Sequence, residues 1–271
     1  MQKSVLITGA SGGMGQKTAL LLCERGYRVF ALDIKPCEET ENLIYIEADV
    51  TSAESLCAAV EEIRKRTDAL YAVLHFAGIY MLDSLVEMEE SAFRRILDIN
   101  LTGVYLLNKL VMPLLSKGSR ILITTSELAP LDPLPFTGIY AITKAALDKY
   151  AYSLAMELQL LGIRVSVLRA GAVETEMLGA STDALARFCE KTAIYTCNAQ
   201  RFRAVVDRVE ARSIPPRKIA EKAEKILKKR NPAFVYAINR NPLLLLLNVL
   251  PKRLQLFAIR LVLKQKTNKR K

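Results

Sequence analysis

Short apolar segments alternate with amphipathic segments through most of the chain, and this alternation restricts the fold more than any other feature. Six apolar segments read as β-strands: SVLITGA, YRVFALD, LIYIEADV, LYAVLHFAG, SRILITTS and IRVSVLRAG. Segments with helical spacing separate most of them, such as GQKTALLLCERG, IYAITKAALDKYAYSLAMELQLLG and ESAFRRILDINLTGVYLLNKLVMPLLSKG, which is expected to form one long helix from Glu90. Strands of a parallel sheet that is covered on both faces are apolar almost throughout. The alternation therefore predicts an α/β fold with a doubly wound parallel sheet.

The length of 271 residues suits one large α/β domain, and no linker interrupts the strand pattern. We expect a single domain over residues 1–240, in which residues 176–215 form a substrate loop. Residues 241–271 are expected to form a helical, basic, amphipathic extension. From Arg212 to Lys271 there are 17 Lys and Arg against 2 Asp and Glu, whereas the whole chain has a net charge of only +11.

A glycine-rich turn joins the first predicted strand to the first predicted helix. Gly9, Gly13 and Gly15 have the spacing G-x-x-x-G-x-G. Glycine lets the backbone approach a pyrophosphate closely, and a helix N-terminus adds unpaired N–H groups and a positive dipole end. The motif requires a strand before it and a helix after it, as found here. The turn predicts a Rossmann-like dinucleotide site.

Acidic residues end the second and third predicted strands. Asp33 can accept hydrogen bonds from the adenosine ribose and would repel a 2′-phosphate, which favours NAD over NADP. Lys17 and Lys35 lie nearby in the sequence and oppose this preference. Asp49 and Val50 end the third predicted strand, where the side chain of Asp49 could meet the adenine.

Tyr140 and Lys144 are four residues apart in a predicted helix, which places them on one face. A neighbouring ammonium favours phenolate and lowers the pKa of a tyrosine, so that the pair can act as an acid/base catalyst. A surface pair on an amphipathic helix has the same spacing, and the surrounding motifs must decide between the two.

Five motifs in order resemble the short-chain dehydrogenase/reductase family, in its single-domain branch. They are TGASGGMG, DINLTG, TTSE, YAITK and RAGAVETEM, and they lie between Val5 and Met177. The resemblance implies that Tyr140 is the general acid/base, and that Lys144 lowers its pKa and holds the nicotinamide ribose. It also implies that Ser126 orients the substrate oxygen and that Asn100 positions a water that relays protons from Lys144.

The same resemblance implies a set of cofactor-binding residues, with NAD as the cofactor. The set is Thr8, Gly9, Ser11, Gly13, Met14, Gly15, Asp33, Asp49, Val50, Ala77, Gly78, Tyr140, Lys144, Gly171, Val173 and Thr175. Two segments depart from the family pattern. His75 and Phe76 stand where many members have two asparagines, and Ala170 stands where proline is common. We expect a structural role for His75, the only histidine of the chain.

The segment after the last motif is apolar and has no dense cluster of charge. We expect it to line a pocket for a lipophilic alcohol or ketone, although each residue could instead pack the loop onto the body. The apolar residues concerned are Met177, Leu178, Leu185, Phe188, Tyr195 and Phe202.

The C-terminal extension has the pattern of a membrane-surface helix. Leu254, Phe257 and Leu261 have helical spacing, and eight basic residues but no acidic residue occur from Lys252 onward. A basic amphipathic helix is typical of peripheral contact with a membrane. The apolar run Leu243–Leu250 is too short to span a bilayer. The alternative is a helix that packs on the body or on another subunit.

Cysteine and histidine usage argues against a metal site. The five cysteines have no metal-like spacing, and a single histidine makes a zinc site improbable. Reduced thiols and the short first apolar run, which does not resemble a signal peptide, indicate a cytoplasmic protein. Peripheral attachment to a membrane is compatible with that location.

Together these features predict an NAD(H)-dependent oxidoreductase that interconverts a secondary alcohol and a ketone on a small apolar substrate, with a hydroxysteroid-like molecule as the first candidate. The alternatives are an NADP(H)-dependent carbonyl reductase that acts on a lipid or acyl substrate, and a catalytically silent dinucleotide sensor or scaffold. No element that could dock on DNA accompanies the basic charge, so we expect no nucleic-acid partner. The resemblance implies a homodimer or homotetramer that forms through the helices bearing Asn100 and Tyr140.

Overall fold

Seven strands form one parallel sheet in the computed structural model, which describes residues 2–36, 39–208 and 212–264. The strands are β1 (Ser4–Thr8), β2 (Arg28–Asp33), β3 (Leu43–Glu47), β4 (Ala72–His75), β5 (Arg120–Ser126), β6 (Arg164–Ala170) and β7 (Val235–Ile238). Their order across the sheet is β3-β2-β1-β4-β5-β6-β7. The predicted doubly wound α/β fold is confirmed. Cys37 and the basic residues after Lys264 lie outside the described residues.

Ten α-helices of the described chain surround this sheet. They are α1 (Gly13–Glu24), α2 (Ala53–Arg64), α3 (Glu90–Leu97), α4 (Gly103–Val111), α5 (Gly138–Leu158), α6 (Glu176–Lys191), α7 (Thr196–Arg208), α8 (Pro216–Lys228), α9 (Pro242–Val249) and α10 (Lys252–Leu263). A π-helical turn, Asp98–Thr102, joins α3 to α4, and short 3₁₀ turns follow α4 and α5.

Helices cover both faces of the sheet. Because successive residues of a strand point to opposite faces, each strand residue packs against one of these two layers. In β1, Val5 and Ile7 pack in a cluster with residues of α1 and α8. Leu6, between them, packs in a second cluster with residues of α2 and α4. All three side chains have no exposed surface. This burial explains the continuous apolar sequence of the strand.

Three elements differ from the sequence-based expectation. Helix α8 and strand β7 were not predicted; α8 packs beside α1, and β7 adds an edge strand next to β6. The single long helix expected from Glu90 onward is interrupted by the π-turn at Asp98–Thr102. This turn contains Asn100, so the irregularity falls at a predicted catalytic residue.

The C-terminal extension folds onto the body. Asn241 caps the first turn of α9, its side chain accepting a hydrogen bond from the N–H of Leu243 at 2.9 Å. Helix α10 packs beside α7, where the amide of Asn198 donates to the carbonyl of Leu263 at 2.6 Å. None of the helices in the described ranges combines the length and the apolar character that a membrane span requires.

Candidate active site

A cavity of about 430 Å³ opens at the carboxyl ends of β1, β2 and β4, where ligands bind in sheets of this type. It is lined by most of the residues predicted to hold the cofactor. These are Gly9, Ser11, Gly13, Met14, Gly15, Asp33, Asp49, Val50, Ala77, Gly78 and Thr175.

The glycine turn leaves no room for side chains beneath this cavity. Gly9 has φ +66°, and a Cβ added there would lie 2.6 Å from the backbone nitrogen of Ala77. A Cβ on Gly15 would lie 2.0 Å from the carbonyl oxygen of Gly9. The first N–H groups of α1, which begins at Gly13, have no partner within the helix. This bare backbone and the free donors fit a pyrophosphate.

Asp33 lies at the cavity wall with its carboxylate held by backbone. Its Oδ2 accepts the N–H of Ser11 at 3.0 Å, and its Oδ1 accepts the N–H of Lys35 at 3.1 Å. A carboxylate has about four acceptor sites, so both oxygens can still accept a ribose hydroxyl. Lys35 and Arg95 line the same cavity, whereas Lys17 does not. Sequence reasoning did not identify Arg95.

Two predicted cofactor residues use their polar side chains within the protein. The Oδ1 of Asp49 accepts the N–H and the hydroxyl of Thr51, at 2.8 and 2.7 Å. Asp49 still lines the cavity, but this oxygen is engaged by the turn. Thr8 is buried below the cavity, and its hydroxyl accepts the N–H of Ala77 at 3.3 Å. Thr8 therefore fixes the Ala77 loop from beneath.

A second cavity of about 310 Å³ adjoins the first and has a mainly apolar lining. Ser126 and Tyr140 lie in its wall, as do Gly171 and Val173, which were predicted to contact the cofactor. Residues common to both cavities mark where they meet: Met14, Tyr80, Thr175 and Met177.

The lining of the second cavity contains part of the predicted substrate loop. Of the six apolar residues expected there, four line it: Met177, Leu178, Leu185 and Phe202. The other two pack on Phe136, with ring centroids 4.5 Å away for Phe188 and 5.3 Å away for Tyr195. These two rings support the wall from behind.

Ser126 and Tyr140 are brought together at this cavity. Ser126 ends β5, and its side chain hydrogen-bonds to that of Tyr140 near the start of α5. The hydroxyl of Ser126 also accepts the N–H of Leu128 at 3.2 Å, which fixes its direction. Tyr140 is only 8% exposed. A hydroxyl and a phenol aimed at one point can bind a substrate oxygen and exchange its proton.

Burial controls the ionisation of the predicted catalytic pair, Tyr140 and Lys144, in the protein alone. It raises the pKa of Tyr140 to about 12, although the hydrogen bond from Ser126 opposes the shift. It lowers the pKa of Lys144 to about 8. The Nζ of Lys144 lies 5.7 Å from the centre of the Tyr140 ring. The lowering of the phenol pKa expected from the sequence is therefore absent here, because desolvation outweighs the neighbouring ammonium.

Asn100 secures the loop between β4 and α3. Its Oδ1 accepts the N–H of Ile79 at 2.8 Å, and its Nδ2 donates to the carbonyl of Ile79 at 3.0 Å. The same Nδ2 donates to the hydroxyl of Thr143 at 3.1 Å. A Cβ on Gly78 would lie 3.2 Å from Asn100 Oδ1 and 3.5 Å from Lys144 Nζ. Asn100 and Lys144 thus flank Gly78, and the proposed water relay stays a prediction.

His75 has a structural position. It is buried in β4, with Nε2 2.9 Å from Oδ1 of Asn108, whose Nδ2 donates to the hydroxyl of Tyr150 at 3.1 Å. Burial lowers the pKa of His75 to about 4, so the ring is neutral at physiological pH. The three side chains connect β4, α4 and α5. Within the described ranges, no group of three His, Cys, Asp or Glu side chains is arranged to hold a metal ion.

Besides Arg95, four further residues of the site were not singled out in the sequence. Tyr80 packs on Tyr140, Glu127 lines the second cavity next to Ser126, and Asn241 and Leu244 bring α9 to the same cavity. Glu127 carried a detectable signal, because it directly follows the predicted catalytic serine. The other three come from loops or from the extension, and only the fold brings them close.

Comparisons with known proteins point to one family. The family model described as short chain dehydrogenase matches residues 3–186. The chain is 27% identical over 231 residues to a 3-ketodihydrosphingosine reductase of Bacteroides thetaiotaomicron, covering 85% of both chains. It is 32% identical over 192 residues to estradiol 17-beta-dehydrogenase 2 of Mus musculus, covering 66% of this chain and 50% of that protein. A short chain dehydrogenase family protein from Francisella tularensis superposes with a TM-score of 0.74 at 23% identity, covering 88% of this chain and 97% of that one.

Proposed function

Because the chain belongs to the short-chain dehydrogenase/reductase family of oxidoreductases, we propose that it uses NAD(H) to interconvert a secondary alcohol and a ketone on an apolar substrate. A hydroxysteroid-like molecule is the first candidate. One observation carries the proposal: Ser126 and Tyr140 face an apolar cavity that meets the glycine-lined cavity at Met14 and Thr175. A substrate oxygen at Tyr140 would then lie near a dinucleotide bound in the glycine-lined cavity.

Each catalytic side chain has a distinct task in this proposal. Ser126 binds the substrate oxygen and orients it, and the Oη of Tyr140 takes the hydroxyl proton of the alcohol, or returns it to the ketone. The bound cofactor would supply the hydride acceptor or donor and, when oxidised, a positive charge that favours the phenolate. Lys144 adds a second positive charge and Asn100 holds the neighbouring loop. The positive charges of the oxidised cofactor and of Lys144 would together oppose the burial that raises the pKa of Tyr140.

The choice of NAD rests on Asp33. A carboxylate at the end of β2 can accept the adenosine ribose hydroxyls and repels a 2′-phosphate. Lys35 and Arg95 in the same wall favour the alternative, an NADP(H)-dependent carbonyl reductase that acts on a lipid or acyl substrate. We give more weight to Asp33, because two backbone N–H groups hold it in place.

The substrate class rests on the apolar lining of the second cavity, which includes Leu82, Leu134, Leu185 and Phe202. Two relatives also support a lipid or steroid substrate, since one is named a 3-ketodihydrosphingosine reductase and the other an estradiol 17-beta-dehydrogenase. The intact set of Asn100, Ser126, Tyr140 and Lys144 argues against a silent sensor or scaffold.

We further propose that α9 and α10 rest on an anionic membrane surface. Leu246, Val249, Leu256 and Phe257 are between 57% and 80% exposed on these two helices. Four cations, Lys252, Arg253, Arg260 and Lys264, lie in or directly after α10, and the sequence has no acidic residue after Glu224. Lys252 is paired with Asp132, and the other three cations lie beside the apolar side chains. Apolar side chains beside basic charge suit anionic lipid. Because Leu244 of α9 lines the substrate cavity, the membrane would lie close to the cavity wall.

The proposed homo-oligomer would form through α4 and α5. Their outer faces carry large apolar side chains that are about half exposed, namely Tyr105, Ile142, Tyr152 and Met156. The proposed location in a reducing compartment such as the cytoplasm agrees with the free thiols of Cys23, Cys57, Cys189 and Cys197.

A cofactor-by-substrate matrix tests the proposal. Purified protein is assayed with hydroxysteroids, long-chain secondary alcohols and the matching ketones, each with NAD(H) and with NADP(H), by following reduced nicotinamide. Turnover of an apolar substrate with NAD(H) is the expected result. Turnover with NADP(H) alone would favour the carbonyl-reductase alternative. Binding of NADH without turnover of any compound would favour the sensor.

A further inference from the structure

Glu127 places a carboxylate inside an otherwise mainly apolar cavity. It follows Ser126 at the end of β5, and both residues line the cavity. The only other charged residue of that lining, among the described residues, is Asp207, and no lysine or arginine lines it. Asp207 lies 3.9 Å from the Nε of Arg203, and its side chain is 59% exposed. Glu127 is half-buried, so it is the charged group that a bound substrate would meet.

Glu127 is held in position through both its carboxylate and its backbone. Its Oε2 accepts the N–H of Asn241 at 2.6 Å, and its backbone N–H donates to the carbonyl of Ala170 at 3.0 Å. Gly171 makes room for it, because a Cβ there would lie 3.1 Å from Oε1 and 1.8 Å from the carbonyl oxygen of Asn239. The group is therefore fixed by β5, the loop after β6 and the start of α9.

One oxygen of this carboxylate is left without a donor. In the part of the chain that the structure describes, Oε2 is bonded to Asn241 and no hydrogen bond reaches Oε1. A partly desolvated anionic oxygen is costly unless it receives a donor. Burial accordingly raises the pKa of Glu127, with the N–H of Asn241 and the positive charge of Arg240 opposing the shift. A substrate group that donates a hydrogen bond would remove this cost.

We propose that Glu127 determines specificity by accepting a hydrogen bond from a hydroxyl or ammonium group that the substrate carries a few bonds from its reacting carbon. We infer the short distance because Ser126, which is proposed to orient the reacting oxygen, is the preceding residue and lines the same cavity. This inference rests on the proposed function and narrows it to apolar ketones and alcohols with a second, uncharged or cationic, donor group. Substrates with a phosphate or carboxylate beside the reacting carbon are disfavoured, since they would meet a fixed negative charge.

A structural role for Glu127 as the anchor of α9 must be separated from this role in recognition. Glu127→Gln serves this purpose, because the amide oxygen can still accept the N–H of Asn241 while the charge is lost. Glu174→Gln is the matched control. It makes the same change on an exposed residue after β6 that lies outside both cavities and accepts a hydrogen bond from Ser213 at 3.1 Å.

The test compares three ketones with the same chain: methyl decyl ketone, hydroxymethyl decyl ketone and aminomethyl decyl ketone. Binding to the NADH-loaded protein is measured by calorimetry, and reduction is measured as kcat/KM. Wild type and Glu174→Gln are expected to prefer both donor-bearing ketones to the plain one. In Glu127→Gln we expect this preference to fall by about 10- to 100-fold for the aminomethyl ketone and by less for the hydroxymethyl ketone. Binding and kcat/KM for the plain ketone should change little, because it carries no donor for Glu127.

The outcomes separate this inference from the proposed reaction. If binding shows the preference and Glu127→Gln removes it, the inference stands even when no ketone is reduced, and only the proposed reaction fails. If the plain ketone is reduced or bound as well as the others by wild type, the inference is overturned. Equal losses of affinity or kcat/KM for all three ketones in Glu127→Gln would also overturn it and assign the residue a purely structural role. Failure of all three ketones to bind the wild type would overturn it as well.

Discussion

The ring of Tyr80 lies against the ring of Tyr140, with 4.8 Å between the ring centroids and 53° between the planes. Tyr80 follows Ile79, whose backbone N–H and carbonyl are both bonded to Asn100. Asn100 therefore fixes the loop that carries the aromatic neighbour of Tyr140. Burial raises the pKa of Tyr80 to about 12, so Tyr80 is neutral and serves as packing rather than as a second base.

Removal of the Tyr80 ring should loosen Tyr140. Tyr80→Ala is expected to lower kcat/KM by about tenfold, because an aromatic pair contributes roughly 0.5 to 1.5 kcal/mol beyond its buried area. Tyr80→Phe retains the ring and should stay close to wild type. Steady-state kinetics on a substrate that the wild type turns over measures kcat/KM for both variants. A large loss in Tyr80→Phe would mean that the hydroxyl, and not the ring, is needed.

Exchange of the Asp33 carboxylate should change cofactor preference. Asp33→Asn keeps an acceptor for one of the backbone N–H groups but loses the negative charge that would repel a 2′-phosphate. The ratio of the Kd values for NADPH and NADH should fall by about tenfold or more, which corresponds to roughly 1.4 kcal/mol. Quenching or enhancement of nicotinamide fluorescence measures both constants.

Lys35→Met provides the reciprocal control for this experiment. It removes the cation that lines the same wall, so it should weaken NADPH binding and leave NADH binding nearly unchanged. A ratio that does not move in Asp33→Asn would show that this carboxylate does not set the preference.

The buried Lys144 should make stability depend on pH. Its pKa is lowered from 10.5 to about 8 by burial, so between these values the unfolded chain binds more protons than the folded protein. The wild type should therefore gain stability as pH rises through this window, at up to about 1.4 kcal/mol per pH unit. Lys144→Met lacks this contribution. Its advantage in unfolding free energy over wild type, expected at pH 7, should shrink towards pH 10.

Urea unfolding of the cofactor-free proteins at several pH values measures this difference. The comparison with Lys144→Met cancels contributions from other groups, such as the thiol of Cys23, whose pKa burial raises to about 11. A difference in unfolding free energy that is the same at pH 7 and pH 10 would mean that Lys144 is solvated in the folded protein.

The exposed faces of α9 and α10 should bind anionic vesicles. Full-length protein is expected to sediment with phosphatidylglycerol vesicles and to be released by high salt, because basic side chains add about 1 kcal/mol each near a charged bilayer. Leu246→Glu and Phe257→Glu, which alter residues that are 67% and 57% exposed, should abolish the association. Leu160→Glu is the control, since Leu160 is 83% exposed after α5 and lies outside both helices. Equal binding by all four proteins would exclude these faces as the contact.

The strands and the cofactor turn were predictable because their patterns are local. Val5, Leu6 and Ile7 are all buried, each on one of the two faces of the sheet, so the run of apolar residues is itself the signature of the strand. Gly9 and Gly15 are required by backbone contacts within the same turn and with its neighbour β4. Strand β7 has only four residues and one exposed valine, which is too little signal to separate it from a loop.

The remaining features depend on distant contacts or on burial. Glu127 and Asn241 are 114 residues apart, yet their hydrogen bond brings α9 to the substrate cavity. The Tyr140–Lys144 spacing predicts proximity correctly, but the direction of the tyrosine pKa depends on how deeply both groups are buried. The sequence can place such groups on one helix face, and it contains no measure of their desolvation.

The most direct test of the account is the activity of Tyr140→Phe. The variant keeps the ring that packs on Tyr80 and loses only the hydroxyl that exchanges the proton. It should bind NADH with nearly the wild-type Kd while kcat/KM for alcohol oxidation falls by about a thousandfold, within the range that general acid/base catalysis contributes. Turnover by Tyr140→Phe within a few-fold of wild type, on a substrate that wild type oxidises, would contradict the central claim that this phenol is the acid/base catalyst.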